Sequence, residues 1–121
     1  MITLYQYPRC STCVKARKWL ETHELEFKSI NIVEAPPSVD ELKRFHQTSG
    51  LPIKRLFNTS GQSYRQGGFK EILPTLSDTE AYQALADDGK LIKRPLLVFD
   101  QDGKDYVYVG FKESSWAENL S

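Results

Sequence analysis

Apolar residues follow two rhythms along this chain, and the switch points between them predict its elements. Ile2, Leu4 and Tyr5 make a short strand that Pro8 ends in a turn. From Ser11 to about Glu24 the spacing is helical: Cys13, Ala16 and Leu20 share a face, Trp19 lies beside it, and Lys15, Arg17, Lys18 and Glu21 fall mostly opposite. Phe27 to Val33 then reads as a second strand, with Phe27, Ile30 and Ile32 as its apolar members. The opening is a β-α-β unit.

Ala35-Pro36-Pro37 breaks the chain, and Ser38 with Glu41 supplies a capping box for a helix that carries Val39, Leu42 and Phe45 and closes at Gly50. Leu51-Pro52-Ile53 begins a shorter helical piece ending near Phe57, followed by a turn at Asn58-Thr59-Ser60-Gly61. Phe69 to Leu73 predicts another short helix that Pro74 stops. Ser77 and Glu80 form a second capping box, with Ala81, Tyr82, Leu85 and Ala86 as the buried side and Gly89 at the exit. Residues 34–92 are therefore expected to be helical, with too little core to fold alone, and to form an insertion within one domain spanning 1–121.

Leu96-Leu97-Val98-Phe99 is a continuous apolar run of the kind buried on both faces of a sheet. Asp100-Gln101-Asp102-Gly103 is a turn, and Tyr106 to Val109 is the antiparallel partner in a hairpin. Lys112 to Leu120, with Trp116 and Leu120 on one side, predicts a closing amphipathic helix.

Composition narrows the class. With 40% hydrophobic and 26% charged residues the chain can bury a core, and its 16 basic and 16 acidic residues cancel, which argues against direct nonspecific nucleic-acid binding. No apolar run approaches the length of a membrane span, and Met1 to Tyr5 lacks the basic start and long apolar stretch of a signal peptide. A cytoplasmic address is expected. In that reducing compartment cysteines serve redox, catalytic or metal chemistry more often than structural disulfides.

The only cysteines are Cys10 and Cys13, at the predicted strand-to-helix turn. Two cysteines placed at random in a chain this long fall three apart about one time in sixty. Residues three apart share a helix face, so the sulfurs can come within bonding range. The first lies where unpaired N–H groups and the positive end of the helix dipole favour an anion, which makes Cys10 the expected nucleophile and Cys13 the resolving thiol. Arg9 and Lys15 place positive charge nearby in sequence. His23 and His46, the only histidines, sit at spacings that match no compact zinc site, so neither a metal nor an organic cofactor is implied.

The order β-α-β, helices, then β-β-α, with Cys-x-x-Cys at the first helix, is an α/β thioredoxin-like plan: a mixed four-stranded sheet with an inserted helical region. More narrowly, the chain resembles the arsenate reductase family of ArsC/Spx type. The resemblance rests on Leu4-Tyr5 with Pro8-Arg9-Cys10-Ser11-Thr12-Cys13, Asn31-Ile32, Asn58-Thr59-Ser60-Gly61 with Tyr64-Arg65, Leu91 through Pro95, and Val109-Gly110-Phe111. It implies that Pro95 is a cis-proline facing the active cysteine, and that Arg94 holds a guanidinium near the nucleophile, suited to an oxyanion or a thiolate. Arg9, Ser11, Thr12 and Pro95 are then the expected substrate-binding positions around Cys10, Cys13 and Arg94.

The chain departs from the arsenate-reducing pattern by carrying Asn58 and Gly110-Phe111 where similar enzymes have further arginines; Arg9, Arg55 and Arg65 are the candidates to compensate. The resemblance to the arsenate-reductase-like branch implies a thiol-disulfide oxidoreductase acting on arsenate or another small oxyanion, with a thioredoxin- or glutaredoxin-type reductant. Similarity to the Spx branch implies the alternative, a redox-sensing regulator that binds the RNA polymerase α subunit. The Asn58 to Gly61 and Tyr64-Arg65 segments look more like the reductase branch.

Overall fold

The computed structural model describes residues 2–120. The chain runs through β1 (Ile2–Gln6), α1 (Ser11–Thr22), β2 (Phe27–Asn31), α2 (Val39–Ser49), a 3-10 turn (Ile53–Leu56), α3 (Gln62–Gln66), α4 (Phe69–Ile72), a 3-10 turn (Leu73–Thr75), α5 (Asp78–Asp87), a 3-10 turn (Gly89–Leu91), β3 (Leu96–Gln101), β4 (Lys104–Val109) and α6 (Glu113–Leu120). Two compact units divide it: the chain up to Asn31 together with the chain from Arg94 onward, and the intervening stretch Ile32–Lys93.

The first unit holds a four-stranded mixed sheet in the order β2-β1-β3-β4. β1 is parallel to β2, as the α1 crossover requires, and antiparallel to β3, which pairs with β4 as a hairpin. Asp102 and Gly103 both take positive φ, 54° and 78°, the two-residue turn that suits the right-handed twist of a hairpin. Leu4 and Leu97 pair across β1 and β3 and are fully buried with Ala16, Leu20 and Trp116 against them. Trp116 meets the rings of Trp19 and Phe111 edge-on, at centroid distances of 5.8 and 4.7 Å. Each large side chain so buried contributes about 1.5–3 kcal/mol, which fixes α1 and α6 on one face of the sheet.

The register decides where chemistry can gather. Gln6 lies beside Asn31, Tyr5 beside Leu96, and Leu96 beside Val109. The ends of β1, β2 and β4 and the start of β3 therefore share one edge of the sheet.

Several boundaries differ from expectation. Helix α1 stops at Thr22 because His23 caps it and Glu24 turns the chain at φ 56°, two residues before the predicted end. β2 ends at Asn31, not Val33. The second unit contains α3, which the sequence pattern did not suggest: Tyr64 is the sole apolar residue of Gln62–Gln66, so no period exists to read. Tyr64 is buried against Phe57 and Phe69. The helix from Phe69 ends at Ile72 with Leu73 as its cap, directly before Pro74, as expected, and Pro74 itself sits inside a 3-10 turn where its missing N–H costs nothing.

Both predicted capping boxes are present. Ser38 and Glu41 exchange hydrogen bonds of 3.0 and 3.2 Å at the start of α2, and Ser77 and Glu80 do so at 2.9 and 3.2 Å at the start of α5. α2 and α5 join through a 2.6 Å hydrogen bond between the Tyr82 hydroxyl and His46 Nδ1. Gly50 ends α2 in the left-handed region, φ 67°, with open space around it. Gly89 follows the Asp88 cap at the exit of α5, as expected, but without a positive φ. It opens the 3-10 turn in close approach to other backbone, where a Cβ would fall 1.9 Å from the Ile32 carbonyl oxygen.

The two glycines should therefore respond differently to alanine. Gly50→Ala forces a left-handed conformation at a cost of about 1–2 kcal/mol. Gly89→Ala must displace backbone, so its cost is expected at or above about 3 kcal/mol, the upper end for overpacking. Urea denaturation of the variants gives the order; a smaller loss for Gly89→Ala than for Gly50→Ala would contradict this account of the turn.

Candidate active site at the start of the first helix

Cys10 is the N-cap of α1. Its backbone is extended, φ −89° and ψ 116°, its N–H donates to the Tyr7 carbonyl at 3.0 Å, and its Sγ accepts the Cys13 N–H at 3.3 Å. A cap of this kind normally uses an oxygen; here sulfur takes one of the helix's first N–H groups. The N–H groups of Ser11 and Thr12, in the same first turn, have no carbonyl one turn earlier within the helix to bond. Both cysteines are free, Cys10 half-buried and Cys13 with no exposed surface. Arg9, Ser11, Thr12 and Lys15 are all exposed.

The two sulfurs sit in different surroundings. Burial pushes the Cys13 thiol up to about 12, aided by its hydrogen bond with the Cys10 sulfur and by the Cys10 charge, and opposed by the Tyr7 N–H and the Arg94 charge. The outer sulfur is reachable and held at a helix start; the inner one is held neutral beneath it.

Arg94 comes to this edge because β3 starts beside the end of β1. Its guanidinium carbon stands 5.2 Å from the centre of the Tyr7 ring, within cation–π range. The Arg94–Pro95 bond is cis, Pro95 is buried, and its carbonyl accepts the Gly110 N–H at 2.8 Å, which ties the start of β3 to the end of β4. The first unit thus brings Cys10, Cys13, Arg94 and Pro95 to one edge of its sheet. Arg55 and Arg65 are exposed residues of the second unit. Asn58 serves its turn: its N–H donates to the Leu91 carbonyl at 2.7 Å, and its side-chain oxygen accepts from Ser60 Oγ at 3.4 Å.

Sequence reasoning passed over two neighbours of the dithiol. Tyr7 belongs to no period, and only its place as an aromatic directly before Pro8-Arg9-Cys10 marks it. Gln6 was detectable, since it falls in phase with Ile2 and Leu4 and so must point inward. It is 7% exposed, its Nε2 donates to Ser29 Oγ on β2 at 3.0 Å, and its Oε1 has no protein partner among the described residues. Among the described residues no three His, Cys, Asp or Glu side chains gather as metal ligands, and no helix is long and apolar enough to cross a membrane.

A mixed four-stranded sheet with a vicinal pair of thiols opening its first helix defines a thioredoxin-like protein, as the sequence pattern led us to expect. Residues 5–119 match the model of the ArsC family, and the chain belongs to that family. It is 51% identical over 118 residues to the uncharacterized protein YusI of Bacillus subtilis, covering 98% of this chain and 97% of that one. A solved structure described as a possible arsenate reductase from Streptococcus mutans is 44% identical, with TM-score 0.83 over 93% of this chain and 92% of that one. The global transcriptional regulator Spx of Bacillus subtilis is 29% identical over 113 residues, 93% of this chain and 82% of the regulator.

The raised Cys13 value sets a pH dependence. Burial favours the neutral thiol, so the reactive thiolate is scarce at neutral pH and grows about tenfold with each pH unit up to about 12. Alkylation of Cys13 by iodoacetamide in the reduced protein is therefore expected to lag behind that of Cys10 and to climb through pH 10 without levelling. Peptide mapping of the modified protein checks this, and a plateau in the Cys13 rate below pH 9 would contradict it.

Proposed function

We propose that this protein is a thiol-disulfide oxidoreductase of the reducing cytoplasm in which Cys10 is the nucleophile and Cys13 the resolving thiol. The observation that carries the reading is the pairing at the start of α1: the Cys10 sulfur accepts the Cys13 N–H at 3.3 Å while the Cys13 side chain is fully buried behind it. A reachable sulfur backed by a sheltered one is the arrangement for two-step exchange.

With a disulfide substrate, the Cys10 thiolate attacks one sulfur, the substrate's S–S bond breaks, and its far half leaves as a thiolate. With arsenate, the same thiolate displaces a hydroxyl from arsenic, which leaves as water after taking a proton. In either case the Cys13 thiolate then attacks the Cys10 sulfur and closes the internal disulfide. The electron pair of the broken bond stays with the departing group, giving a thiol or arsenic(III). A dithiol of thioredoxin or glutaredoxin type returns the two electrons. Arg94 supplies the fixed positive charge for the oxyanion or leaving thiolate. Arg9 and the first-turn positions Ser11 and Thr12 border the approach, with Pro95 forming its backbone wall.

The balance of influences on Cys13 supports this order. Two of those that hold it neutral, the hydrogen bond and the charge, come from Cys10. Both disappear once Cys10 is bonded to substrate, while the Tyr7 N–H and Arg94 continue to favour the Cys13 thiolate. Burial, the largest influence holding Cys13 neutral, remains, so the first step relieves only part of the restraint on the resolving sulfur.

Likeness to Spx supports a second reading, in which the same dithiol reports oxidation and alters binding to the RNA polymerase α subunit. Both readings use Cys10 and Cys13; they differ in whether a substrate turns over.

In a coupled assay with arsenate or a mixed disulfide, Cys10→Ser is expected to reduce turnover to background, and Cys13→Ser to accumulate a covalent adduct through Cys10 that mass spectrometry detects. Equal activity of both variants and the parent would falsify the assignment. A pull-down with the RNA polymerase α subunit, using reduced and oxidised protein, tests the second reading; capture that depends on oxidation state, without turnover, would put the regulator first.

A further inference from the structure

Tyr7 touches Cys10, Cys13 and Arg94. Its carbonyl accepts the Cys10 N–H at 3.0 Å, its N–H bonds the Cys13 sulfur, and its ring lies 5.2 Å from the Arg94 guanidinium carbon. The first two contacts belong to the backbone, so any residue at this position can make them. Only the third depends on the side chain being aromatic.

We propose that the Tyr7 ring is a positioning residue for Arg94, holding its guanidinium at the mouth of the dithiol and thereby setting how well the site binds an anionic group. The inference rests on the dithiol reading above and adds a specificity element to it. The physical argument starts from the guanidinium itself. It is planar and weakly hydrated, and an aromatic face beneath it fixes the plane of its N–H groups and so the direction from which an anion can meet them. An arginine on a flexible stem must lose rotamer freedom each time it meets an anion, and one carried on a ring has lost part of it beforehand.

Arg9, the arginine next to Cys10 in sequence, is exposed, whereas Arg94 is partly buried. Where one guanidinium does the anion binding, its placement carries more of the affinity than it would in a cluster. The ring contact bears less on disulfide exchange, because a neutral disulfide presents no charge to Arg94 until its leaving sulfur departs, whereas an oxyanion is charged from the moment it binds.

The test uses the full-length reduced protein and three forms: the parent, Tyr7→Phe and Tyr7→Leu. The Nε–H resonance of Arg94 is expected to show a ring-current shift in the parent and Tyr7→Phe that is lost in Tyr7→Leu. Titration with inorganic arsenate, followed on that resonance, should give a dissociation constant about threefold to thirtyfold weaker in Tyr7→Leu, the range for losing one cation–π contact, with Tyr7→Phe retaining the parent value. Exchange with 2-hydroxyethyl disulfide, a neutral substrate, should fall by a smaller factor than arsenate affinity does.

The proposal is overturned if Tyr7→Phe loses as much affinity as Tyr7→Leu, if Tyr7→Leu binds arsenate as the parent does, if both assays fall by the same factor, or if the parent shows no arsenate saturation. A parent that exchanges no disulfide would remove the dithiol reading, while the arsenate titration would still decide the role of Tyr7.

Discussion

The site depends on one constraint: a sulfur, not an oxygen, caps the first helix. The Cys10 Sγ takes the Cys13 N–H, and this single contact fixes the rotamer of the outer cysteine, the start of α1 and the approach of the two thiols. The helix does not begin earlier, because the Cys10 backbone is extended, φ −89° and ψ 116°. Its phase is held by Ala16, Trp19 and Leu20, which pack with Leu4 of β1 and Leu97 and Phe99 of β3. Packing thus sets the phase of the helix, and the phase puts one sulfur at its mouth and the other beneath.

Most of this was legible before any coordinates. The spacing of Cys13, Ala16 and Leu20 located the buried face of α1, the apolar run at Leu96 to Phe99 located the central strand, and both capping boxes marked true helix starts. These are signals within one element, where period and cap chemistry act over a few residues. What escaped was of another kind. Helix α3 has a single apolar residue, Tyr64, and is held by Phe57 and Phe69 from elsewhere in the chain. The role of Gly89 depends on the Ile32 carbonyl, 57 positions away in sequence, and no local pattern announces that approach.

The site divides along the same line. Cys10 and Cys13 could be found from their spacing, because a helix turn relates residues three apart. Arg94 and Pro95 came only through family resemblance, since nothing in their own neighbourhood points to residues more than eighty positions earlier. Tyr7 was missed because its contacts are to the dithiol through its backbone and to Arg94 through its ring, and neither is written in a period. The β1–β3 register, Tyr5 beside Leu96, is what makes those distant positions neighbours.

The proposed reaction asks the buried thiol for two incompatible properties, inertness at rest and reactivity in the second step. Desolvation alone would give only the first, because a sulfur with no exposed surface stays protonated at any ordinary pH. A fixed positive charge alone would give only the second and would leave a competing nucleophile beside the first. The arrangement separates them in time. The influences that Cys10 exerts on Cys13 last only while Cys10 carries a free sulfur, whereas those of Arg94 and the Tyr7 N–H persist. Bond formation at Cys10 therefore removes two of the restraints on Cys13 and leaves its stabilising partners in place. In this reading the order of the two attacks follows from which sulfur caps the helix and which lies buried behind it.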